Sequence, residues 1–305
     1  IKATLRLAFY FYHYAGLYDE ASQYATEALR MIEAEDDGGE YAGEHSLCHR
    51  IIGRACFERN DYTKAVEHLS TAEYWLDENQ ELHRYAYGEL LCMMGVSYWY
   101  LQDFYSAENY MLRADRIITD QQIDLAGSEG EQVEALNQMH DITYTVLGDI
   151  SYRNADNSTA EYYLEDVAYS SNDTTLTGIA MLNLADIKGL KGDYVKAVEY
   201  AERAKPYFNL LRDANDMLYV QYGVNFASYY SSLGKREEAE ELYRSMIAIC
   251  EGVDQPTFEL KALVSYVLGS SYMGLNDLQS ALKYFEQAYD IYYRAGEEVE
   301  IDIAQ

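Results

Sequence analysis

The amino-acid sequence predicts an all-α solenoid, in which about seven helix–turn–helix units follow one another along the chain. Proline, the strongest helix breaker, occurs only twice, at Pro206 and Pro256, and its near absence permits long helices throughout. An internal repeat is the second observation: a small residue in a first helix is followed, after a turn, by an alanine framed by aromatic residues in a second helix. Apolar and aromatic residues make up 49% of the chain, which supplies ample material for a core.

Each repeat contains one anchor alanine in its second helix. The seven anchor alanines are Ala21, Ala65, Ala107, Ala160, Ala197, Ala239 and Ala281. Twelve residues earlier lies a first-helix position that is Gly or Ala in six of the seven repeats, and its residues are Phe9, Gly53, Gly95, Gly148, Ala185, Ala227 and Gly269. Small residues at both positions let the two helices of a unit approach closely. Since each unit leaves one apolar face uncovered, the units are expected to stack.

The turns and the repeat spacing carry further predictions. Residues that tolerate a positive φ are expected to end the first helices at Gly16, Asn60, Gly192, Gly234 and Asn276. Successive anchor alanines are separated by 44, 42, 53, 37, 42 and 42 residues. The 53-residue interval predicts a longer loop around residues 119–136, accompanied by lengthened helices, and residues 35–43 are predicted to form another loop.

This pattern resembles the tetratricopeptide repeat (TPR) over nearly the whole chain, although Asn157 and Arg236 replace the aromatic residue that precedes the anchor alanine elsewhere. The resemblance implies a right-handed superhelix whose first helices line a concave groove. A single domain over residues 1–305 is predicted, with units at approximately 1–35, 44–80, 86–120, 132–172, 176–212, 216–252 and 258–296. Because the sequence starts at Ile1 inside a helical pattern, we expect a further N-terminal domain in the natural protein.

The charge balance narrows the classes of partner. A formal net charge of −29 and a pI near 4.4 argue against direct binding to nucleic acids and to anionic membranes. Basic or weakly charged partners are favoured, although acidity that serves solubility alone is an equal alternative. The sequence has no apolar run of the roughly 20 residues that a membrane span needs. Four cysteines without a CxxC pair, Cys48, Cys56, Cys92 and Cys250, predict buried free thiols in a reducing compartment, and hence a cytoplasmic protein.

Candidate ligand-binding residues follow from the repeat register. Two residues before the small position the units have Leu7, Ile51, Met93, Val146, Asn183, Asn225 and Val267. An asparagine amide can bond both the N–H and the C=O of an extended peptide, so Asn183 and Asn225 in consecutive repeats are predicted to hold a peptide backbone. The alternative is that each asparagine bonds an adjacent helix or water. Side-chain pockets are predicted from Asp149, Asp186, Ser228, Gln221, Tyr222, Tyr229, Met93, Trp99, Tyr100 and Tyr266.

The repeats of about 42 residues, longer than the ordinary 34, and the seven-unit length resemble the peptide-pheromone regulators of Gram-positive bacteria, the Rap–NprR–PlcR family. The resemblance implies an intracellular sensor of a short signalling peptide that regulates a transcription or response-regulator output, with Asn183 and Asn225 on the peptide backbone. A static scaffold for protein assembly is the alternative. A carboxylate clamp for chaperone tails is disfavoured, because apolar Leu263 and Val267 stand where that clamp needs lysine and arginine.

The sequence carries no motif that indicates catalysis or cofactor binding. The sequence has no phosphate-binding GxxxxGK[ST] loop and no GxSxG elbow, so no enzyme activity, cofactor or catalytic residue is predicted. His45 and His49 lie one helical turn apart, but a third ligand is not evident and no metal is predicted. The apolar positions after the last anchor alanine lack a following repeat, which predicts a homodimer through the C-terminal repeats, with an additional capping helix as the alternative. They are Tyr289, Tyr292, Tyr293, Val299 and Ile303.

Overall fold

The computed structural model describes residues 1–35, 40–76, 84–125, 127–213, 217–252 and 258–304. All the regular structure in these ranges is helical, which confirms the predicted all-α repeat fold. The chain divides into two compact units, Ile1–Val167 and Ala168–Gln305, with the boundary inside a helix.

The first compact unit begins with a short helix that continues into one π-helical segment, Phe11–Ala15. Its α-helices are α1 (Lys2–Tyr10), α2 (Tyr18–Glu35), α3 (Ala42–Glu58), α4 (Tyr62–Trp75), α5 (Arg84–Tyr100), α6 (Phe104–Asp124), α7 (Glu131–Arg153) and α8 (Asn157–Ser170). Those of the second unit are α9 (Thr174–Leu190), α10 (Tyr194–Arg203), α11 (Lys205–Asp213), α12 (Met217–Ser232), α13 (Arg236–Gly252), α14 (Phe258–Gly274) and α15 (Leu278–Ala304).

The small residues of the repeat bring the helices of a unit together, as predicted. All seven anchor alanines are buried. A Cβ atom added to Gly148 would come within 2.6 Å of Leu164 Cγ, and one added to Gly269 within 2.7 Å of Phe285. Leu164 and Phe285 each follow the anchor alanine of their repeat by four positions. The first-helix glycine therefore packs against the second helix one turn after the anchor alanine. Phe9, the departure from the small residue, is 38% exposed.

One kind of turn joins the helices within most repeats. The five predicted residues have positive φ, between 61° at Asn60 and 77° at Gly234, and Gln102 and Ala155, which were not predicted, share that conformation with φ of 60°. An aspartate usually follows, and its carboxylate accepts a hydrogen bond from the backbone N–H three residues on, which caps the second helix. These caps are Asp61, Asp103, Asp156, Asp193 and Asp277.

Most of residues 119–136 is helix, so the predicted long loop is wrong, whereas the lengthened helices predicted with it are present. Helix α6 has 21 residues and continues to Asp124, and α7 has 23 and starts at Glu131. The added residues of the long interval therefore extend both helices, which buries more apolar surface than an exposed loop would. For residues 35–43, Glu35 ends α2 and Ala42 begins α3, while 36–39 lie outside the described residues.

Two further sequence predictions concern the burial of the cysteines and the presence of membrane-spanning helices. All four cysteines are buried free thiols, as expected. Among the helices of the described ranges, none combines the length and the apolar character that crossing a membrane requires.

Candidate functional site

A polar network joins α9 and α12, the first helices of two consecutive repeats in the second unit. Tyr229 Oη donates to Asp186 Oδ1 at 2.7 Å, and Asn225 Nδ2 lies 3.1 Å from both oxygens of the same carboxylate. Tyr222 Oη donates to Asn183 Oδ1 at 3.0 Å. Each predicted asparagine therefore bonds the neighbouring helix, which is the alternative that the sequence left open.

Close helix approach positions this network. A Cβ atom on Gly189 of α9 would come within 2.3 Å of Tyr229 Cε1. Glycine at this position therefore lets the Tyr229 ring lie against the α9 backbone, with its hydroxyl in reach of Asp186 one turn earlier. The sequence analysis missed Gly189, although it is a second small residue four positions after Ala185.

Asp186 is the electrostatic centre of the network. It is 8% exposed. Burial raises the pKa of the Asp186 carboxyl to about 6, although the hydrogen bonds from Tyr229 and Asn225 lower it. Both of these donors are neutral. Their hydrogen bonds stabilise the buried carboxylate only in part, so burying its charge still costs folding free energy. Perturbed carboxyl groups of this kind are typical of functional sites, although structural networks contain them too.

The solvent-facing side of α12 carries three polar residues beside the network. Gln221, Asn225 and Ser228 follow one another at spacings of four and three residues, which places them on one face of the helix. Gln221 and Ser228 are exposed and Asn225 is half-buried. Asn225 therefore joins the exposed polar face to the buried carboxylate. In the next repeat, Tyr266 of α14 is 56% exposed, with its ring centroid 5.9 Å from that of Phe285.

The remaining predicted residues belong to the first unit and form a different arrangement. Asp149 of α7 accepts from Trp99 Nε1 at 2.7 Å and from Arg153 Nε at 2.6 Å, so a cation compensates this carboxylate. Tyr100 is 48% exposed and stacks on Tyr62 with ring centroids 4.3 Å apart. Arg153 was missed, although its i,i+4 spacing from Asp149 on one helix is a visible signal.

The register position that the sequence assigned to ligand contact is mostly buried. Leu7 is 46% exposed and Asn225 half-buried, whereas five side chains at this position are buried. The buried ones are Ile51, Met93, Val146, Asn183 and Val267. Met93 in particular belongs to the apolar core of the first unit. A ligand at this position would meet Leu7 or Asn225 directly and the five buried side chains only after side-chain movement.

Two other predictions concern metals and self-association. In the part of the chain that the structure describes, no group of three or more His, Cys, Asp or Glu side chains has a metal-binding arrangement. On α15, Tyr289, Tyr292 and Tyr293 are each more than half exposed. This is the surface for which the sequence predicts a homodimer, and the prediction stays open.

The chain is similar to known proteins at the level of its repeats and fold. Residues 216–294 match the family model of the tetratricopeptide repeat. The crystal structure of the apo form of RapI has a TM-score of 0.60 at 12% identity, covering 91% of this chain and 82% of that chain. A tetratricopeptide repeat protein from Parabacteroides merdae has a TM-score of 0.52 at 14% identity, with coverages of 95% and 92%.

A third solved structure is the Rap conjugation gene regulator of the plasmid pLS20 in complex with the Phr* peptide. Its TM-score is 0.51 at 15% identity, with coverages of 98% of this chain and 97% of that chain. Curated protein sequences give no match. At these identities the structural likeness shows the fold. The chain therefore has the tetratricopeptide repeat fold, and residues 216–294 also carry the family's sequence pattern.

Proposed function

We propose that this chain binds other polypeptides rather than catalysing a reaction, and that its ligand is a short signalling peptide. In this proposal the peptide lies along the polar face of α12, beside α9, and its binding regulates a transcription or response-regulator output in the cytoplasm. One observation carries the proposal: the exposed Gln221–Asn225–Ser228 face is hydrogen-bonded through Asn225 to the buried carboxylate of Asp186. The fold shared with a Rap regulator in complex with the Phr* peptide supports it.

The chemistry of the asparagines suits an extended peptide. The bonds to Tyr222 and Asp186 use the Oδ1 of Asn183 and the Nδ2 of Asn225. An amide carries a donor and an acceptor, so a peptide N–H would donate to Asn225 Oδ1. A peptide C=O would accept from Asn183 Nδ2 once a side-chain movement has uncovered this asparagine, which is 5% exposed. The bond to Asp186 would then hold the Asn225 amide in the orientation that receives the peptide, which lowers the ordering cost of binding.

The test is a selection from a library of synthetic linear peptides, five to seven residues long, on immobilised chain. The affinity of the best peptide is then measured by fluorescence anisotropy. Asn225→Ala is expected to weaken binding at least about tenfold, or roughly 1.4 kcal/mol. Asn109→Ala is the matched control, because Asn109 is an exposed asparagine on the second helix α6. Equal affinities for the two variants, or a library from which nothing is retained, would refute the proposal.

A static scaffold for larger proteins is the second candidate, favoured by a specific surface. In the first unit, Tyr74, Tyr105 and Tyr162 on second helices are 81%, 82% and 65% exposed. Tyrosine is enriched at protein interfaces because its ring supplies contact area and its hydroxyl bonds at the rim. A scaffold would bind a folded partner through this surface. Tyr105→Ala would then abolish capture of the partner while Asn225→Ala left it unchanged.

A further inference from the structure

Two histidine rings from α3 and α4 face each other in the first unit. The Nδ1 atoms of His49 and His68 are 3.0 Å apart, and the ring centroids are 5.2 Å apart with 33° between the planes. Both side chains are half-buried, so water reaches the pair. His68 was absent from the sequence-based candidates because it lies on the second helix, 19 residues from His49.

The histidine that the sequence paired with His49, His45, does not belong to this pair. His45 is one turn earlier on α3 and buried, and its ring stacks on Trp75 with centroids 4.6 Å apart. The pair that meets is therefore His49 with His68, across two helices, rather than His45 with His49 along one helix.

The protonation state of the pair leaves nitrogen lone pairs available at neutral pH. Two Nδ1 atoms at this distance share one proton, so at least one of them is an acceptor. Burial and the neighbouring His68 lower the pKa of His49 to about 4, and burial lowers the pKa of His68 while Glu67 raises it. Because metal ions bind neutral imidazole and both pKa values are lowered from the ordinary value of histidine, protons compete weakly for these nitrogens at neutral pH.

The distance between the two nitrogens matches that of a metal chelate. Histidine nitrogens bind first-row metals at about 2.0–2.1 Å, which gives an N···N separation of about 2.8–3.0 Å for two cis ligands at 90°. A tetrahedral angle gives about 3.3–3.4 Å. The observed 3.0 Å is a hydrogen-bond distance that also falls at the upper end of the range for cis ligands, so Cu²⁺ and Ni²⁺ require only that the two rings rotate toward the ion, and Zn²⁺ also requires a slight opening.

We propose that His49 and His68 form a two-nitrogen chelate for a divalent transition-metal ion, with Cu²⁺ bound most tightly. The ion displaces the proton shared between the Nδ1 atoms and lies to one side of the line that joins them, and water completes its coordination. Since both ligands come from the protein and the remaining positions from water, the site is open to exchange and weaker than a three-ligand site. Metal binding ties α3 to α4, because one ligand comes from each helix of the repeat.

The experiment uses untagged full-length chain that has been stripped with chelator. Binding of Cu²⁺, Ni²⁺ and Zn²⁺ is measured by calorimetry, and the copper-loaded sample by electron paramagnetic resonance. We expect one ion per chain, hyperfine coupling to two imidazole nitrogens, and a rise in Tm that saturates with metal. His49→Ala and His68→Ala are each expected to weaken binding at least tenfold. His13→Ala, at an exposed histidine of the π-helical segment, is expected to bind as the unchanged chain does.

A second variant guards against a loss caused by misfolding. His68→Gln keeps a polar side chain against His49, so its helical circular dichroism should be unchanged while its metal affinity falls. The proposal is overturned if His68→Gln binds copper as tightly as the unchanged chain. It is also overturned if the unchanged chain takes up no ion at metal concentrations that saturate a short histidine-containing peptide.

Discussion

Replacement of Asp186 by asparagine should make the protein more stable at neutral pH. The wild-type carboxylate is 8% exposed and accepts hydrogen bonds from the neutral donors Tyr229 and Asn225. Asparagine has nearly the same shape and no charge. Its Oδ1 can still accept from Tyr229, whereas its amide nitrogen meets the Nδ2 of Asn225 and requires that side chain to turn.

The magnitude follows from the pKa difference between the folded and unfolded states. The folded pKa of Asp186 is about 6. Against an unfolded value of about 3.9, a difference of about two pKa units corresponds to roughly 3 kcal/mol. Because the folded pKa is raised, the roughly 3 kcal/mol that the protonated Asp186 contributes to the free energy of unfolding is present below about pH 4 and is lost as the pH rises through about 6. Subtracting roughly 1 kcal/mol for the disturbed Asn225 bond leaves a net gain of roughly 2 kcal/mol for Asp186→Asn at pH 7.5.

Urea unfolding followed by circular dichroism at pH 7.5 and pH 5.5 measures both the gain and its pH dependence. From pH 7.5 to 5.5 the wild type should recover roughly 1 kcal/mol at this group, which narrows its gap to the variant. Asp149→Asn is the matched control, because it removes the partner of Arg153 and should destabilise. Refutation would come from an Asp186→Asn variant that is less stable than wild type at pH 7.5, or whose advantage is the same at both pH values.

Four more substitutions test the repeat itself. Gly148→Ala should lower the free energy of unfolding by roughly 1–3 kcal/mol through its 2.6 Å clash with Leu164, less about 1 kcal/mol gained in helix propensity. Gly88→Ala, whose Cβ would meet Ile117 at 3.5 Å, should instead stabilise the protein. Equal urea midpoints for the two variants would contradict this reasoning. Ala155→Gly should stabilise by roughly 0.5–1 kcal/mol in thermal unfolding, because its φ is 60°; a loss of stability would show that the turn is not strained. Asp103→Ala should cost about 1 kcal/mol at pH 7 through the lost helix cap. Because the bonds from Ser106 lower the pKa of Asp103, the difference in stability between wild type and Asp103→Ala should shrink as the pH falls below about 4 and the carboxylate protonates. A stability difference that persists at low pH would argue against capping.

The repeat was predictable because its physical requirements are local. An anchor alanine such as Ala160 and a glycine such as Gly148 stand at a fixed separation, and the structure brings helices together at both. Turn residues were predicted where the residue type reveals the conformation, as at Asn60. They were missed at Gln102 and Ala155, because neither type favours positive φ and only the repeat register places them there.

The candidate site was predictable as a set of residues but not as an arrangement. Asn183, Asp186 and Asn225 were identified from their register, and the structure joins them through Tyr222 and Tyr229. Which side of a first helix is buried depends on how it contacts its neighbours, and this is not encoded in spacing within one repeat. The pairing of His49 with His68 was missed for the same kind of reason, since it is set by packing between helices.

Hydrogen–deuterium exchange of the whole chain, with and without the library-selected peptide at saturation, tests peptide binding along α12 most directly. Binding at the proposed site should slow exchange in α9 and α12, over Thr174–Leu190 and Met217–Ser232, and leave α4 and α6 unchanged. Asn225→Ala should abolish this protection. Protection confined to α4 and α6, or unchanged exchange in α12 with the peptide bound, would contradict the proposal.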